Sequence, residues 1–170
     1  MSYLTHLHIP EIVIEKLRKE FYANLHKAKI YTASNGVITR SLNEMEVIRN
    51  EDADGCLIGH RIAKNLSYII VHEVRPRYYR QAANSDLEKH KDVGATVALN
   101  VVLEGSGPIC FDDDVYINYK CALLDVTQYH SVKTEDTRVL FRLTMNDISY
   151  EEVLEYIQGK ENDLFDLSDL

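Results

Sequence analysis

The chain has 170 residues, 45% of them hydrophobic and 27% charged, and a formal net charge of −8. That length suits one domain with a hydrophobic core, and the acidic balance offers no overall basic field for a polyphosphate backbone, which disfavours nucleic-acid partners. Cys56, Cys110 and Cys121 form neither a CxxC pair nor a zinc spacing; this odd count without an apolar leader predicts a reducing, cytoplasmic setting, and no segment reaches the length of a membrane span.

In chain order, residues 11–28 carry Ile12, Ile14, Leu17, Phe21 and Leu25 at near-helical spacing behind Pro10, which predicts an amphipathic helix. Residues 29–65 are mixed, with a turn at 50–55 ("NEDADG"), and His60 in this region has no evident place. The β-branched run at 66–74 ("LSYIIVHEV") predicts a strand ended by Pro76, with His72 a structural histidine on the face of Tyr68 and Ile70. Residues 77–88 are mostly polar and give no assignment.

From residue 95 the chain reads as short strands: 95–103, 109–111, 115–119, 121–126 and 138–145. The turn "EGSGP" (104–108), the acidic turn 112–114 and the loop 131–137 separate them. This spacing predicts a sandwich or barrel. Residues 149–158 return to helix, with Ser149 as N-cap and Glu151 and Glu152 in the first turn. The acidic tail carries Leu164, Phe165 and Leu167 and is expected to be frayed, or docked on the chain's own barrel or on a partner subunit. The expected organisation is a single domain: a mixed, partly helical N-terminal region over residues 1–65, a β core at about 66–145, and a helix with tail at 146–170.

His90 and Asp92 flank Lys91 just before the apolar strand at 95–103. On an extended chain both project from one face and offer an imidazole and a carboxylate to a divalent metal. Alone, such a pair is ordinarily a solvated surface, and it gains weight only with a third ligand downstream. A third ligand is available at His130, 40 residues on, after another apolar strand. Two His and one Asp match the facial triad of non-haem Fe(II) oxygenases, which leaves coordination positions open.

Alternation along 138–145 puts Arg138, Leu140, Arg142 and Thr144 on one face and Val139, Phe141, Leu143 and Met145 on the other. The second face is pure core. A planar guanidinium on the first suits a carboxylate. Along 95–103, Val97, Leu99, Val101 and Leu103 make a core face, while Thr96, Ala98 and Asn100 face a pocket or solvent. Asn100 contacts either water or a bound polar ligand. The three consecutive aspartates at 112–114 read as a solvated turn rather than a hard-cation site, and Cys121 as a small buried hydrophobe.

In this order, "HKD" (90–92), "ALNVVLEG" (98–105), "CALLDVTQYHSV" (121–132) and "TRVLFRL" (137–143) resemble the core of the Fe(II)/2-oxoglutarate-dependent dioxygenases, over about residues 66–145. The resemblance implies a mainly β fold with flanking helices around a double-stranded β-helix, or jelly-roll, core. It implies Fe(II) on His90, Asp92 and His130, with no catalytic residue beyond these ligands. It further implies 2-oxoglutarate with its distal carboxylate on Arg138, and O2-dependent hydroxylation of an unactivated C–H in a small molecule, amino acid or peptide side chain. The family often places a Tyr hydroxyl near that carboxylate, which makes Tyr68, Tyr78 and Tyr79 candidates. Two departures stand out. Leu140 occupies the position where many members have Ser or Thr, a pattern met instead by Arg142 and Thr144, so Arg142 is the alternative arginine. The usual "GG" turn is "GSG", Gly105 to Gly107. A cupin-like metalloenzyme working without 2-oxoglutarate and a non-catalytic jelly-roll binding module remain open.

Overall fold

The computed structural model describes residues 2–31, 45–49, 54–111 and 114–170. Two antiparallel sheets pack face to face. The larger has the order β1 (Leu4–His6), β9 (Cys121–Asp125), β6 (Val97–Glu104), β11 (Arg138–Met145), β4 (Arg75–Gln81), β3 (Met45–Ile48), β2 (Lys29–Ile30). The smaller has the order β5 (Leu87–His90), β10 (His130–Val132), β7 (Ile109–Phe111), β8 (Tyr116–Ile117). Crossovers between the sheets produce the jelly roll. Its helices, α1 (Glu11–Ala23), α2 (Leu57–Ile70), α3 (Tyr150–Ile157) and α4 (Glu161–Leu164), share a core with the outer face of the larger sheet.

The period-two pattern decides which face goes where. Val97, Leu99, Val101 and Leu103 of β6 and Val139, Phe141, Leu143 and Met145 of β11 all enter the core beneath the helices, as their alternation predicts. The intervening residues point between the sheets. There Ala98, Ala122 and Leu124 meet Ile109, Phe111 and Val132 of the smaller sheet. Asn100 belongs to this inner face and is 3% exposed, so the solvent-facing alternative does not hold.

Two expectations are corrected. The run 66–74 is not a strand: Leu66 to Ile70 complete α2, whose buried Gly59, Ile62, Ala63, Leu66 and Ile70 fall on one helical face. A window confined to the β-branched end conceals that periodicity. Val71, at φ 53°, ends the helix, and Tyr68 is exposed rather than packed. His72 lies in the following turn, where its ring contacts the Asn146 carbonyl. Pro76 does not end a strand either. It lies inside β4 opposite Leu143, beyond the stretch where β3 pairs the other edge, so its missing N–H leaves no gap there. Residues 77–81 of the unassigned segment therefore belong to a strand of the larger sheet, and Leu87 and Glu88 open β5 of the smaller one. Of the alternatives expected for the tail, docking on its own chain is the one found: Leu164, Phe165 and Leu167 are buried in the helix-covered core, and Asn65 Nδ2 donates to the carbonyls of Leu164 (3.1 Å) and Asp166 (3.0 Å).

The predicted first helix ends earlier than expected, at Ala23, and continues as a 3-10 turn over Leu25–Lys27. Ser149 caps α3 as predicted, accepting from the Glu152 amide at 3.1 Å. The start of α2 has no cap of its own. The buried Glu20 of α1 supplies one, accepting from the amides of Ile58 (2.7 Å) and Gly59 (2.8 Å) and from the Tyr78 hydroxyl (2.8 Å). Of the predicted turn at 50–55, residues 50–53 lie outside the described residues, as do Asp112 and Asp113 of the acidic turn; residues 54–55 and Asp114, at φ 58°, are non-helical turn. Among the described residues no helix is long and apolar enough to cross a membrane.

Candidate metal centre

β5 ends at His90 and β10 begins at His130, and the two residues are register partners. Asp92 follows β5 and donates its backbone N–H to the Val126 carbonyl at 3.2 Å, just past the end of β9. These placements bring one ligand atom from each of His90, Asp92 and His130 to within 4.8 Å of one another. Asp92 Oδ1 lies 3.4 Å from His90 Nε2 and 3.1 Å from His130 Nε2. The site is closed on the side of His130, whose side chain is 4% exposed, and open on that of His90, at 38%.

Both imidazoles are oriented alike. His90 Nδ1 donates to the Glu88 carbonyl at 2.6 Å, and His130 Nδ1 to that of Gln128 at 2.8 Å. With the proton on Nδ1, each Nε2 presents a lone pair to the carboxylate. Three electron-rich atoms thus converge, and only a cation relieves that arrangement: a second proton on an imidazole or a metal ion. Burial, the largest influence on Asp92, pushes its carboxyl up, but the Arg142 guanidinium and the hydrogen bonds to His130 and His90 outweigh it and hold it well below the usual carboxylate range. Burial also pushes the His90 imidazole down, yet its bonds to Asp92 and to the Glu88 carbonyl raise it overall. Two imidazoles and one ionised carboxylate on one face fit a divalent transition metal.

Deeper between the sheets, the two arginines have different surroundings. Arg142 Nη2 donates to Asp92 Oδ2. Arg138 is 5% exposed and has no carboxylate partner among the described residues. Among the described residues its Nη1 reaches the Gly107 carbonyl, at 3.4 Å, and its Nε has no partner. The Tyr119 hydroxyl is within hydrogen-bonding reach of Arg138 and accepts from Asn100 Nδ2 at 2.9 Å. Asn100 Oδ1 and, on the residue paired with Arg138, Gln81 Oε1 are also unsatisfied. The "GSG" turn makes room for this guanidinium: a Cβ on Gly107 would stand 2.2 Å from Arg138 Nη1, and one on Gly105 2.3 Å from the Thr137 carbonyl oxygen.

The structure thus brings His90, Asp92 and His130 together and places Arg138, Arg142 and Asn100 on the same interior face. Of the tyrosine candidates, Tyr79 joins this interior beside Arg77, at 3.3 Å, Tyr78 is bound to Glu20, and Tyr68 is on the surface. Tyr119 and Gln81 were not singled out in the sequence. The strand expected at 115–119 is shortened to Tyr116–Ile117, which leaves Tyr119 in a loop where alternation does not fix its direction. Gln81 continues the series Arg75, Arg77, Tyr79, whose polar period-two spacing marks a strand facing a polar interior.

No family model matches the chain, and no curated protein matches it. Solved structures do. A prolyl hydroxylase from Trichoplax adhaerens, in complex with a peptide fragment of the hypoxia inducible factor oxygen degradation domain, is similar over 89% of this chain and 85% of its own, with a TM-score of 0.68 at 10% identity. A non-haem α-ketoglutarate-dependent epimerase from nogalamycin biosynthesis is similar over 85% of this chain and 78% of its own, with a TM-score of 0.61 at 12% identity. At these identities the likeness is one of fold. The chain has the double-stranded β-helix fold of these enzymes, as the resemblance in its motifs implies.

Proposed function

We propose that this chain is a non-haem Fe(II)- and 2-oxoglutarate-dependent oxygenase that hydroxylates an unactivated C–H. The observation that carries this reading is the pairing of two sites in one barrel: a His90–Asp92–His130 donor set at its mouth and, further in, the buried guanidinium of Arg138, which has no acid partner among the described residues. A buried cation without a counter-charge is costly, and a ligand carboxylate supplies one. That feature favours 2-oxoglutarate over a cupin-like reaction that has no use for it.

Bound iron with 2-oxoglutarate and O2 would supply the oxidising power, at the expense of decarboxylating the cosubstrate to succinate. The chain's residues do the rest. His90 and His130 present Nε2 because their Nδ1 protons are held by backbone carbonyls. Asp92 contributes the negative charge that favours Fe(II). Arg138 would accept the distal carboxylate in a charge-assisted pair, with Tyr119 as a second donor: its oxygen already accepts from Asn100, so its proton is free to turn to the ligand. The apolar residues between the sheets keep water from this interior.

The substrate would enter past His90. The Trichoplax enzyme was solved with a peptide, which supports a peptide or amino-acid side chain within the expected range of small molecules, amino acids and peptides. The free, buried cysteines Cys56, Cys110 and Cys121 accord with a reducing, cytoplasmic location. Helices from both ends of the chain cover one sheet face, which supports a single domain.

The test is an anaerobic titration of metal-free protein with Fe(II) and then 2-oxoglutarate. A visible charge-transfer band that needs both additions, and is absent in His130→Ala, is the expected result. Metal binding with no response to 2-oxoglutarate would point to the cupin-like alternative, and no metal binding to a jelly-roll binding module.

A further inference from the structure

We infer that Arg142 is a positioning residue for Asp92, occupying Oδ2 so that Oδ1 alone is presented to the metal. The inference rests on the reading of His90, Asp92 and His130 as metal ligands. The two carboxylate oxygens have separate partners. Oδ1 faces both imidazoles, at 3.4 and 3.1 Å, while Oδ2 accepts from Arg142 Nη2. A carboxylate binds a metal through one oxygen or both, and with both it takes two adjacent positions. A facial triad keeps its full open face only when each ligand fills one position. Clamping Oδ2 enforces that.

The clamp is built on the more rigid partner. Arg142 sits mid-strand in β11, hydrogen-bonded on both sides, opposite Asn100 of β6 and Arg77 of β4. Asp92 lies beyond the end of β5, and its position is fixed by one backbone bond to Val126. A loop carboxylate is therefore held by a sheet guanidinium, with both side chains 16% exposed. The two interior arginines then divide the work: Arg138 has no acid partner among the described residues and is left for a ligand, whereas Arg142 already has one. This assigns to Arg142 a role other than that of alternative cosubstrate arginine.

The experiment is an anaerobic Co(II) titration of wild type, Arg142→Met, Arg142→Gln and Arg142→Lys, followed by calorimetry and visible absorption, then 2-oxoglutarate added to each Co(II)-saturated protein. Loss of the clamp in Arg142→Met is expected to weaken Co(II) binding about 10–100-fold, the usual range for partners of metal ligands. It should also dim the d–d bands as Asp92 turns bidentate and the coordination number rises. Arg142→Lys should recover some of both, and 2-oxoglutarate affinity at saturating metal should stay near wild type. Should Arg142→Met not fold, as judged by circular dichroism, Arg142→Gln decides on the same criteria. Wild-type Co(II) affinity with unchanged bands overturns the inference while leaving the metal site standing. So does selective loss of 2-oxoglutarate binding, which would make Arg142 the cosubstrate residue. A wild-type protein that binds no Co(II) removes the metal reading, and this inference with it.

Discussion

His90 and His130 stand opposite each other on β5 and β10, ring centroids 4.4 Å apart, and each ties Nδ1 to the carbonyl two residues before it. The same local device on two different strands sets the same tautomer twice. Neither ring needs the metal in order to be aimed.

A site aimed in advance should couple metal to stability. At a metal concentration of about 100 times the dissociation constant, binding adds ~2.7 kcal/mol, or roughly 5–10 °C in Tm for a chain of this size. Chelator treatment is expected to remove that increment from wild type. His130→Ala should show no metal-dependent shift and no metal-dependent activity while keeping the wild-type circular dichroism spectrum. A metal-dependent shift that survives in this variant would rule out His130 as a ligand.

Arg138 should behave in the opposite way to an ordinary buried residue. Its guanidinium has an unsatisfied Nε and no carboxylate partner among the described residues, and burial pulls its pKa down. Arg138→Gln is therefore expected to leave the ligand-free protein as stable as wild type, or more so. It should weaken 2-oxoglutarate binding by about 2 kcal/mol or more, at least ~30-fold, with metal affinity unchanged. Gly107→Val, which drives a side chain into the same guanidinium, should weaken it too. Isothermal titration with and without metal separates these effects.

Glu20 holds α1, α2 and β4 together through one carboxylate. Glu20→Gln replaces an acceptor of three bonds with a neutral amide that carries its own donors, and should cost about 1.5–3 kcal/mol. Urea denaturation with an unchanged m-value checks this. A variant as stable as wild type would show that the cap contributes nothing to folding.

The cysteines give a pH-dependent test. Burial, and then Glu20, push the Cys56 thiol up to about 11. Raising the folded pKa of an acid above its unfolded value favours the folded state at low pH. That contribution is complete below the unfolded value of about 8.5 and is lost as pH rises towards the folded one. Native protein at pH 8 should therefore resist a thiol reagent at Cys56, Cys110 and Cys121, all three of which are buried. All should react in urea, and stability should fall between about pH 9 and 11. Rapid labelling of Cys56 in the native protein would contradict the packing around α1 and α2.

The closing segment of the chain belongs to the core. Phe165 is 4% exposed beneath the helices, and Phe165→Ala is expected to destabilise by about 3–5 kcal/mol. Loss of less than ~1 kcal/mol in urea melts would mean that the tail is dispensable.

Much of this was legible from alternation alone. Strand β11 runs from Arg138 to Met145 as predicted, because strict period-two spacing of apolar residues has no helical reading. The His90–Asp92–His130 set was also legible, since strand ends and side-chain parity fix where such residues point. Strand β4 was not, because its inward face is Arg77, Tyr79 and Gln81. A strand facing a polar interior inverts the pattern by which strands are recognised. Helix α2 was misread because its last turn is β-branched and only its full length shows the helical spacing. The separate roles argued for Arg138 and Arg142 were beyond reach, since both lie on one face of one strand and differ only in what comes to meet them from elsewhere.

The alternation of β11 has a consequence for how this protein tolerates variation. Its odd-numbered residues pack under the helices and its even-numbered residues line the barrel. In a saturation screen scored in parallel for cellular abundance and for turnover, positions 139, 141, 143 and 145 should deplete both readouts together. Positions 138 and 142 should deplete turnover while abundance holds. One strand would then carry two interleaved records of selection, one for persistence of the molecule and one for its chemistry, with a repeat of two residues.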